Sequence, residues 1–471
     1  MDAAEFRKHA HELVDWMADY LERVESYPVR SQVRPRSVIA QLPESPPAHG
    51  EPFDVILEDF RRVIVPGMTH WQHPSFFAYF PANASPPSVL AEMLTATLGA
   101  QCMSWVTSPA ATELEERMLE WLRQMTGLPE TFTGVIQDTA STATLCSILT
   151  AREVRSGYDI NRRGWTADRG FAVYCSPETH SSIEKGVKIA GIGSENLRLV
   201  PVDERFAMRP EMLEEAIAQD LRQNAVPLCA VATLGTTGST AVDPLRKIGE
   251  ICRRHGVWLH VDAAFAGSAL ILPEMRWMAD GLELADTFVF NPHKWLLTNF
   301  DCTAYFVRDK GALIRTFEIL PEYLKTPEAE RVNNYRDWGI QLGRRFRALK
   351  LWFVLRSYGV EGLQERLRAH IRMAQALADS IRASAEFELL APCVLNLVCF
   401  RYRPHDVTDP DRLNALNAEL LERLNATGKL FMTHTKLNGM TTLRLVVGQT
   451  RVEQRHISAA WSLIRDTARS L

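Results

Sequence analysis

The chain has 471 residues, 46% of them hydrophobic and 23% charged, with a formal net charge of −4. That length predicts two or three domains around a sizeable core, and the near balance of charge excludes the electrostatic footprint of a nucleic-acid partner. Eight cysteines are scattered without a CxxC pair, the N-terminus lacks the apolar core of a signal peptide, and no apolar run has the length of a membrane span; the expectation is a soluble cytoplasmic protein with reduced thiols and no membrane partner.

Taken in order, residues 5–24 place Phe6, Leu13, Val14, Met17, Leu21 and Val24 near helical spacing, with Pro28 just beyond. Residues 30–52 carry prolines at 35, 43, 46, 47 and 52 and read as an extended strap, followed by an amphipathic helix over 53–64. Two helices on such a strap cannot make a core of their own, so they are expected to lie on another surface, such as a second subunit. The aromatic stretch 70–83, with Trp71, Tyr79, Phe80, Pro81 and Ala82, is either hydrophobic core or the wall of a pocket for an aromatic ligand. His70 and His73 have no carboxylate or cysteine at metal-ligand spacing, so no metal is assigned. Ser85-Pro86 and Ser108-Pro109 each read as an N-cap followed by proline at the first helical position. The run 134–142 leads into a helical pattern over 143–155. Its small hydroxylated residues suit a phosphate at a helix start, or an ordinary N-cap.

Strands and helices then alternate. Strands are expected at 171–175, 197–202, 228–234, 257–262, 287–290 and 303–307, with helices at 181–189, 209–225 and 243–255. Nearly continuous apolar strands in repeated units predict an α/β fold, a mostly parallel central sheet flanked by helices. In such sheets ligands sit beyond the carboxyl ends of the strands, and His180, Thr237, Asp262 and Lys294 all follow strand ends. Gly191-Ile192-Gly193 follows a helix rather than a strand, which removes a dinucleotide loop from consideration. Residues 319–331 are polar, with two prolines and Tyr323, and read as an exposed mobile loop, either a lid or a passive connector. A long helix to about residue 358, a helix at 361–383, strands at 396–401 and 442–447, a helix at 411–425 and a final helix complete an α+β C-terminal domain.

Two of these strand ends carry a specific chemistry. One apolar strand ends in Asp262; another ends in Asn291-Pro292-His293 and is followed by Lys294. A lysine amine forms a Schiff base with an aldehyde cofactor, and a carboxylate keeps the ring nitrogen of pyridoxal phosphate protonated. Singly, the two residues also read as a solvated loop lysine and a helix cap; the pair points to the cofactor.

Four motifs, Asn291-Pro292-His293-Lys294-Trp295-Leu296, His260-Val261-Asp262-Ala263-Ala264, Ser108-Pro109-Ala110-Ala111-Thr112-Glu113-Leu114-Glu115 and Leu342-Gly343-Arg344-Arg345-Phe346-Arg347, stand in an order that resembles the pyridoxal-phosphate-dependent aromatic L-amino-acid decarboxylases (group II), in a bacterial-type form. The resemblance implies the fold-type I architecture: a helical flap (1–85) packed on the partner subunit, a large cofactor-binding domain (86–350) and a small α+β domain (351–471). It implies a homodimer with active sites at the subunit interface. It makes Lys294 the cofactor-bearing lysine, Asp262 the partner of the ring nitrogen, and His180 the residue stacked on the ring. It assigns the phosphate to Thr139, Ala140, Ser141, Asn291 and His293, and ring contacts to Thr237 and Ala264. Tyr323 matches the family's mobile-loop tyrosine, which favours the lid and a role in returning a proton to Cα. Substrate-pocket positions are Trp71, Tyr79, Phe80, Pro81, Ala82, Gln101, Met103 and Gly343, the last a pointer toward tolerance of an indole. Asp138-Thr139 stands where many members have Gly-Ser, so the Asp138 carboxylate must point away from the phosphate or cap the helix. The activity implied is decarboxylation of tryptophan, hydroxytryptophan, DOPA, tyrosine or phenylalanine to the arylalkylamine. The alternatives are an aromatic acetaldehyde synthase on the same scaffold and, more remotely, a non-catalytic cofactor-binding protein.

Overall fold

The computed structural model describes residues 1–165, 170–319 and 331–471. Tyr323 and most of the loop expected around it lie outside the described residues. The chain divides into two compact units, one formed by residues 82–371 with 391–395, the other by 1–81, 372–390 and 396–471.

Among the described residues of the first unit, seven strands form one sheet: β1 (Thr133–Gln137), β2 (Phe171–Cys175), β3 (Leu197–Leu199), β4 (Val226–Thr233), β5 (Trp258–Asp262), β6 (Thr287–Phe290) and β7 (Thr303–Val307). Their spatial order is β1-β7-β6-β5-β4-β2-β3. β7 pairs antiparallel with both neighbours, while β3, β2, β4, β5 and β6 run parallel. Every residue of β2, β6 and β7 is buried, as expected of strands covered by helices on both faces. The expected α/β class is therefore observed.

The differences in detail have local causes. The run before the phosphate-type turn is itself a strand, β1, where a Cβ on Gly134 would stand 2.9 Å from the Tyr305 carbonyl. The following helix, Ala140–Ser156, starts three residues earlier than its apolar pattern, because Thr139 takes the N-cap position. β3 stops at Leu199, short of residue 202, because its neighbour β2 ends opposite it at Cys175. The two C-terminal helical patterns form one element, Arg347–Arg382, broken only by Gly359 at φ 65.

The second unit contains the helix Ala3–Glu22, capped by Asp2 and Glu5. The helix expected over 53–64 is α-helical only over Phe53–Asp59 and continues as a π-turn, Phe60–Ile64. A four-stranded antiparallel sheet in the order β10-β11-β9-β8 comprises β8 (Phe387–Leu389), β9 (Leu397–Tyr402), β10 (Thr433–Leu437) and β11 (Met440–Val446). β8 and β10 were not expected. β10 alternates exposed and half-buried residues, but Asn438-Gly439, both at positive φ, close a two-residue hairpin whose dipeptide was the available signal. In this unit Trp71 stacks on Tyr79 with ring centroids 5.8 Å apart, and the Arg444 guanidinium lies 5.6 Å from the Phe80 ring centre. His70 Nδ1 lies 2.9 Å from the Tyr20 hydroxyl, and His73 Nδ1 accepts the Ser75 N–H at 2.9 Å. Among the described residues, no helix is long and apolar enough to cross a membrane.

Candidate active site

The site is assembled in the first unit, where β4, β5 and β6 end side by side. Asp262 closes β5, is paired in register with Val289 of β6, and is 4% exposed. Its Oδ1 accepts the Ala264 N–H at 3.0 Å, which fixes the carboxylate against the turn that follows. The chain then stays close to β6. The Ala263 N–H bonds the Val289 carbonyl (3.0 Å) and the Asn291 N–H bonds that of Ala264 (2.9 Å). A Cβ on Gly267 would stand 2.4 Å from Phe290 Cβ, so only glycine lets the two segments approach this closely. Thr237 stands exposed in the turn after β4.

β6 runs into a one-turn helix, Pro292–Trp295, with Asn291 at its N-cap and Lys294 within it. Burial pushes the Lys294 amine below its ordinary pKa, and the Asp262 charge opposes that shift. A shift in that direction favours the neutral, nucleophilic amine. Asn83 clamps the turn: its N–H bonds the His293 carbonyl (3.1 Å) and its Nδ2 bonds that of Lys294 (2.6 Å). Ser85 Oγ donates to the Leu297 carbonyl at 2.8 Å. Asn83 is 1% exposed; in the sequence it stood only at the end of the aromatic stretch.

His293 Nδ1 accepts the Cys302 N–H at 3.0 Å. That bond occupies the lone pair and leaves the proton on Nε2, a neutral donor. Burial, aided by the Lys294 charge, lowers its pKa to about 3. Thr303 Oγ1 lies 2.9 Å from Asn291 Oδ1 and 3.1 Å from the Asp138 carbonyl, so it fixes Asn291 with the amide nitrogen as the donor end.

The phosphate-type turn faces the same crevice. Thr139 caps the helix through Thr142 N–H (3.4 Å), with Ala140 and Ser141 in the first turn. The question raised by Asp138 is answered by its partners. One oxygen accepts the Thr139 N–H at 2.6 Å and the other the Gln341 Nε2–H at 2.9 Å. Burial works against its ionisation, yet hydrogen bonds from Thr142, Thr139 and Gln341 and the Arg347 charge outweigh burial and hold its pKa below the ordinary value. His180 lies at the start of the helix Ser182–Ile189. Its Nδ1 sits 2.8 Å from Ser182 Oγ and accepts the Ser182 N–H at 3.2 Å. Its pKa is lowered by desolvation, with Asp262 opposing and Lys294 reinforcing the shift. The ring is thus a neutral flat surface whose free Nε2 carries the proton.

Gln101 and Gly343 adjoin a buried ion pair absent from the sequence reading, while the Met103 carbonyl accepts the Arg336 N–H at 2.9 Å. Arg344 Nη2 donates to Glu115 Oε1 (2.6 Å) and to the Ile136 carbonyl (2.8 Å), and Nη1 donates to the Cys102 carbonyl (3.2 Å). The Arg344 N–H bonds Gln101 Oε1 at 2.7 Å, and a Cβ on Gly343 would stand 3.2 Å from Gln101 Nε2. The two motifs ending in Glu115 and Arg347 therefore share one bond. Ala82 precedes the Asn83 clamp in this unit, while Trp71, Tyr79, Phe80 and Pro81 belong to the other.

The donor set fits a phosphorylated pyridine aldehyde: hydroxyls and N–H groups at a helix start, a neutral histidine N–H, a fixed carboxylate and a desolvated lysine. The sequence matches the pyridoxal-dependent decarboxylase conserved domain over residues 35–403. It is 45% identical to a phenylacetaldehyde synthase of Arabidopsis thaliana over 99% of this chain and 96% of that protein. It is 43% identical to tyrosine decarboxylase 4 of Petroselinum crispum over 100% of this chain and 94% of that one. The structure superposes on an Oryza sativa TDC solved with PLP and tryptamine, with a TM-score of 0.96, 39% identity and coverage of 100% of this chain and 99% of that one. These relatives are plant enzymes, so the expectation of a bacterial-type form is not borne out by them.

Proposed function

The chain belongs to the pyridoxal-dependent decarboxylase family, and we propose that it removes CO2 from aromatic L-amino acids to give the arylalkylamine. Pyridoxal phosphate is the cofactor of this family, and when bound it supplies an electron sink for the pair left as the Cα–carboxylate bond breaks. The observation that carries the proposal is the meeting of Asp262, Lys294 and His293 at adjacent strand ends, beside the capped helix start at Thr139.

Each residue has a definite task in this reading. Lys294 anchors the cofactor's aldehyde, and Asp262 keeps the ring nitrogen cationic because a nearby negative charge favours its protonated form. Thr139, Ala140, Ser141, Asn291 and His293 hold the phosphate, while Thr237 and Ala264 flank the ring. His180 presents its flat neutral ring to the cofactor and its Nε2–H to the substrate carboxylate. Tyr323, assigned by its motif alone, returns a proton to Cα. The residues proposed to select the substrate, assigned by their motifs alone, are Trp71, Tyr79, Phe80, Pro81, Ala82, Gln101, Met103 and Gly343, with glycine at 343 favouring tolerance of an indole.

We further propose a cytoplasmic homodimer, divided functionally into a flap (1–85), a cofactor domain (86–350) and a C-terminal domain (351–471). The helix Ala3–Glu22 has no buried residue, and Phe6, Val14, Val55 and Ile56 are 59%, 40%, 47% and 50% exposed, which calls for a covering surface such as a second copy. A mass in solution twice that of the chain tests this.

The phenylacetaldehyde synthase among the relatives supports a second reading, in which the amino acid, O2 and water yield the aldehyde, CO2, ammonia and hydrogen peroxide. One experiment separates the readings: incubate the protein with the five candidate amino acids and quantify amine, aldehyde, CO2 and peroxide. Amine with CO2 is expected. Stoichiometric aldehyde and peroxide would replace the first reading with the second, and no CO2 from any substrate would remove both. Lys294→Ala should abolish turnover.

A further inference from the structure

The motif His260-Val261-Asp262 supplies an aspartate to the site and leaves its histidine without a task. His260 is fully buried in β5, two residues before Asp262 and so on the same face of the strand. Both ring nitrogens are held: Nε2 lies 3.0 Å from Thr144 Oγ1, and Nδ1 lies 2.8 Å from Thr287 Oγ1. Thr287 Oγ1 is in turn 2.7 Å from Ser147 Oγ, which accepts the Trp258 Nε1–H at 3.0 Å. An indole N–H can only donate. With the Trp258 indole as the fixed donor, the bonds run from Trp258 through Ser147 and Thr287 to Nδ1 and leave the ring proton on Nε2 for Thr144.

Thr144, Ser147 and Thr287 are all fully buried. Such a cluster within an apolar sheet is costly unless every bond is made. Desolvation lowers the His260 pKa to about 4, against the pull of Asp262, so the ring stays neutral. The other ionisable groups around the cluster are Tyr305 from β7, Cys146 from the helix Ala140–Ser156 and Cys229 from β4.

The imidazole bonds across three elements. Thr144 sits on the helix whose first turn carries Ala140 and Ser141, and Thr287 opens the strand whose far end leads to Asn291, His293 and Lys294. His260 itself stands on the strand that ends in Asp262. We infer that His260 is a positioning residue: it fixes the phosphate turn, the aspartate and the lysine relative to one another, and as a neutral ring it leaves the Asp262 charge to the cofactor's ring nitrogen. This rests on the proposed function above. An apolar residue at 260 would leave Thr144 and Thr287 without their partner and free β5 to shift, so that the Asp262 carboxylate no longer meets the ring nitrogen squarely.

The test compares wild type, His260→Leu, His260→Gln and Thr287→Val as holoenzymes. Steady-state amine release, the pH midpoint of the bound cofactor's visible absorption and the unfolding temperature of the cofactor-free protein are measured for each. His260→Leu should lower kcat about tenfold with KM changed less than about twofold, and move the midpoint by about half a pH unit or more. His260→Gln, whose amide can bond both hydroxyls, should restore most of both, and Thr287→Val should fall between. If His260→Leu does not fold, the other two variants carry the comparison. Variants that unfold at lower temperature yet keep the wild-type kcat and midpoint would overturn the inference and leave His260 a stabilising residue only. A wild-type protein with the visible band but no amine release would instead sink the proposed function, and the band midpoints would still decide the role of His260.

Discussion

Arg344→Met tests the buried ion pair that joins Arg344 to Glu115. The Arg344 and Glu115 side chains are 5% and 3% exposed, so neither charge is relieved by solvent when the other is removed. Breaking one side of such a pair costs about 3–5 kcal/mol, because an uncompensated charge stays buried. The Ile136 and Cys102 carbonyls lose their guanidinium donors as well. Glu115 keeps the Ile136 N–H at 2.7 Å, a partial compensation that sets the expectation at about 4 kcal/mol. Against a typical total stability of about 5–15 kcal/mol, that is a large loss. Urea unfolding followed by circular dichroism measures it as a fall in midpoint at unchanged slope. The double change Arg344→Met with Glu115→Leu should cost less than the sum of the two single changes, since it removes both charges together. Additive losses, or a loss below about 1 kcal/mol for Arg344→Met, would refute the reasoning that the pair is a desolvated brace.

Three further outcomes follow from local geometry. Gly267→Ala places a Cβ 2.4 Å from Phe290 Cβ, which should destabilise by about 1–3 kcal/mol and lower cofactor occupancy, measured by absorbance after dialysis. Hydrogen bonding from Arg455, assisted by His456 against a desolvation cost, lowers the Glu25 pKa from 4.5 to about 2. Its contribution is therefore complete above pH 4.5 and lost as pH falls through about 2. Because Glu25 is 43% exposed, Glu25→Gln should cost no more than about 1 kcal/mol near neutral pH, a cost that shrinks steadily as pH falls from 4.5 to 2, read from paired unfolding curves. All eight cysteines are thiols rather than disulfides, and seven are buried. An aromatic disulfide reagent should accordingly label at most Cys393 in the native protein and all eight after unfolding.

The sequence alone determined the local features of this protein. The apolar strands, the small hydroxylated run at a helix start and the placing of His180, Thr237, Asp262 and Lys294 after strand ends were legible because each depends on residues near one another in the chain. Lysine and aspartate chemistry named the cofactor for the same reason: the reaction constrains residue type before it constrains distance. Some local signals, such as Asn438-Gly439, were present and went unread. What only the tertiary structure decided is how those side chains are held. Asn83 reaches the Lys294 carbonyl across 211 residues of sequence, and Arg344 reaches Glu115 across 229. Asp138, which the sequence marked as a neighbour of the expected phosphate, serves as a brace because Gln341, 203 residues away, donates to it. No periodicity encodes such partners, since a hydrogen bond between distant segments depends on where the folded backbone brings them. The sequence could single out Lys294; its clamp, its neutral histidine neighbours and its buried supports exist only in the packed sheet.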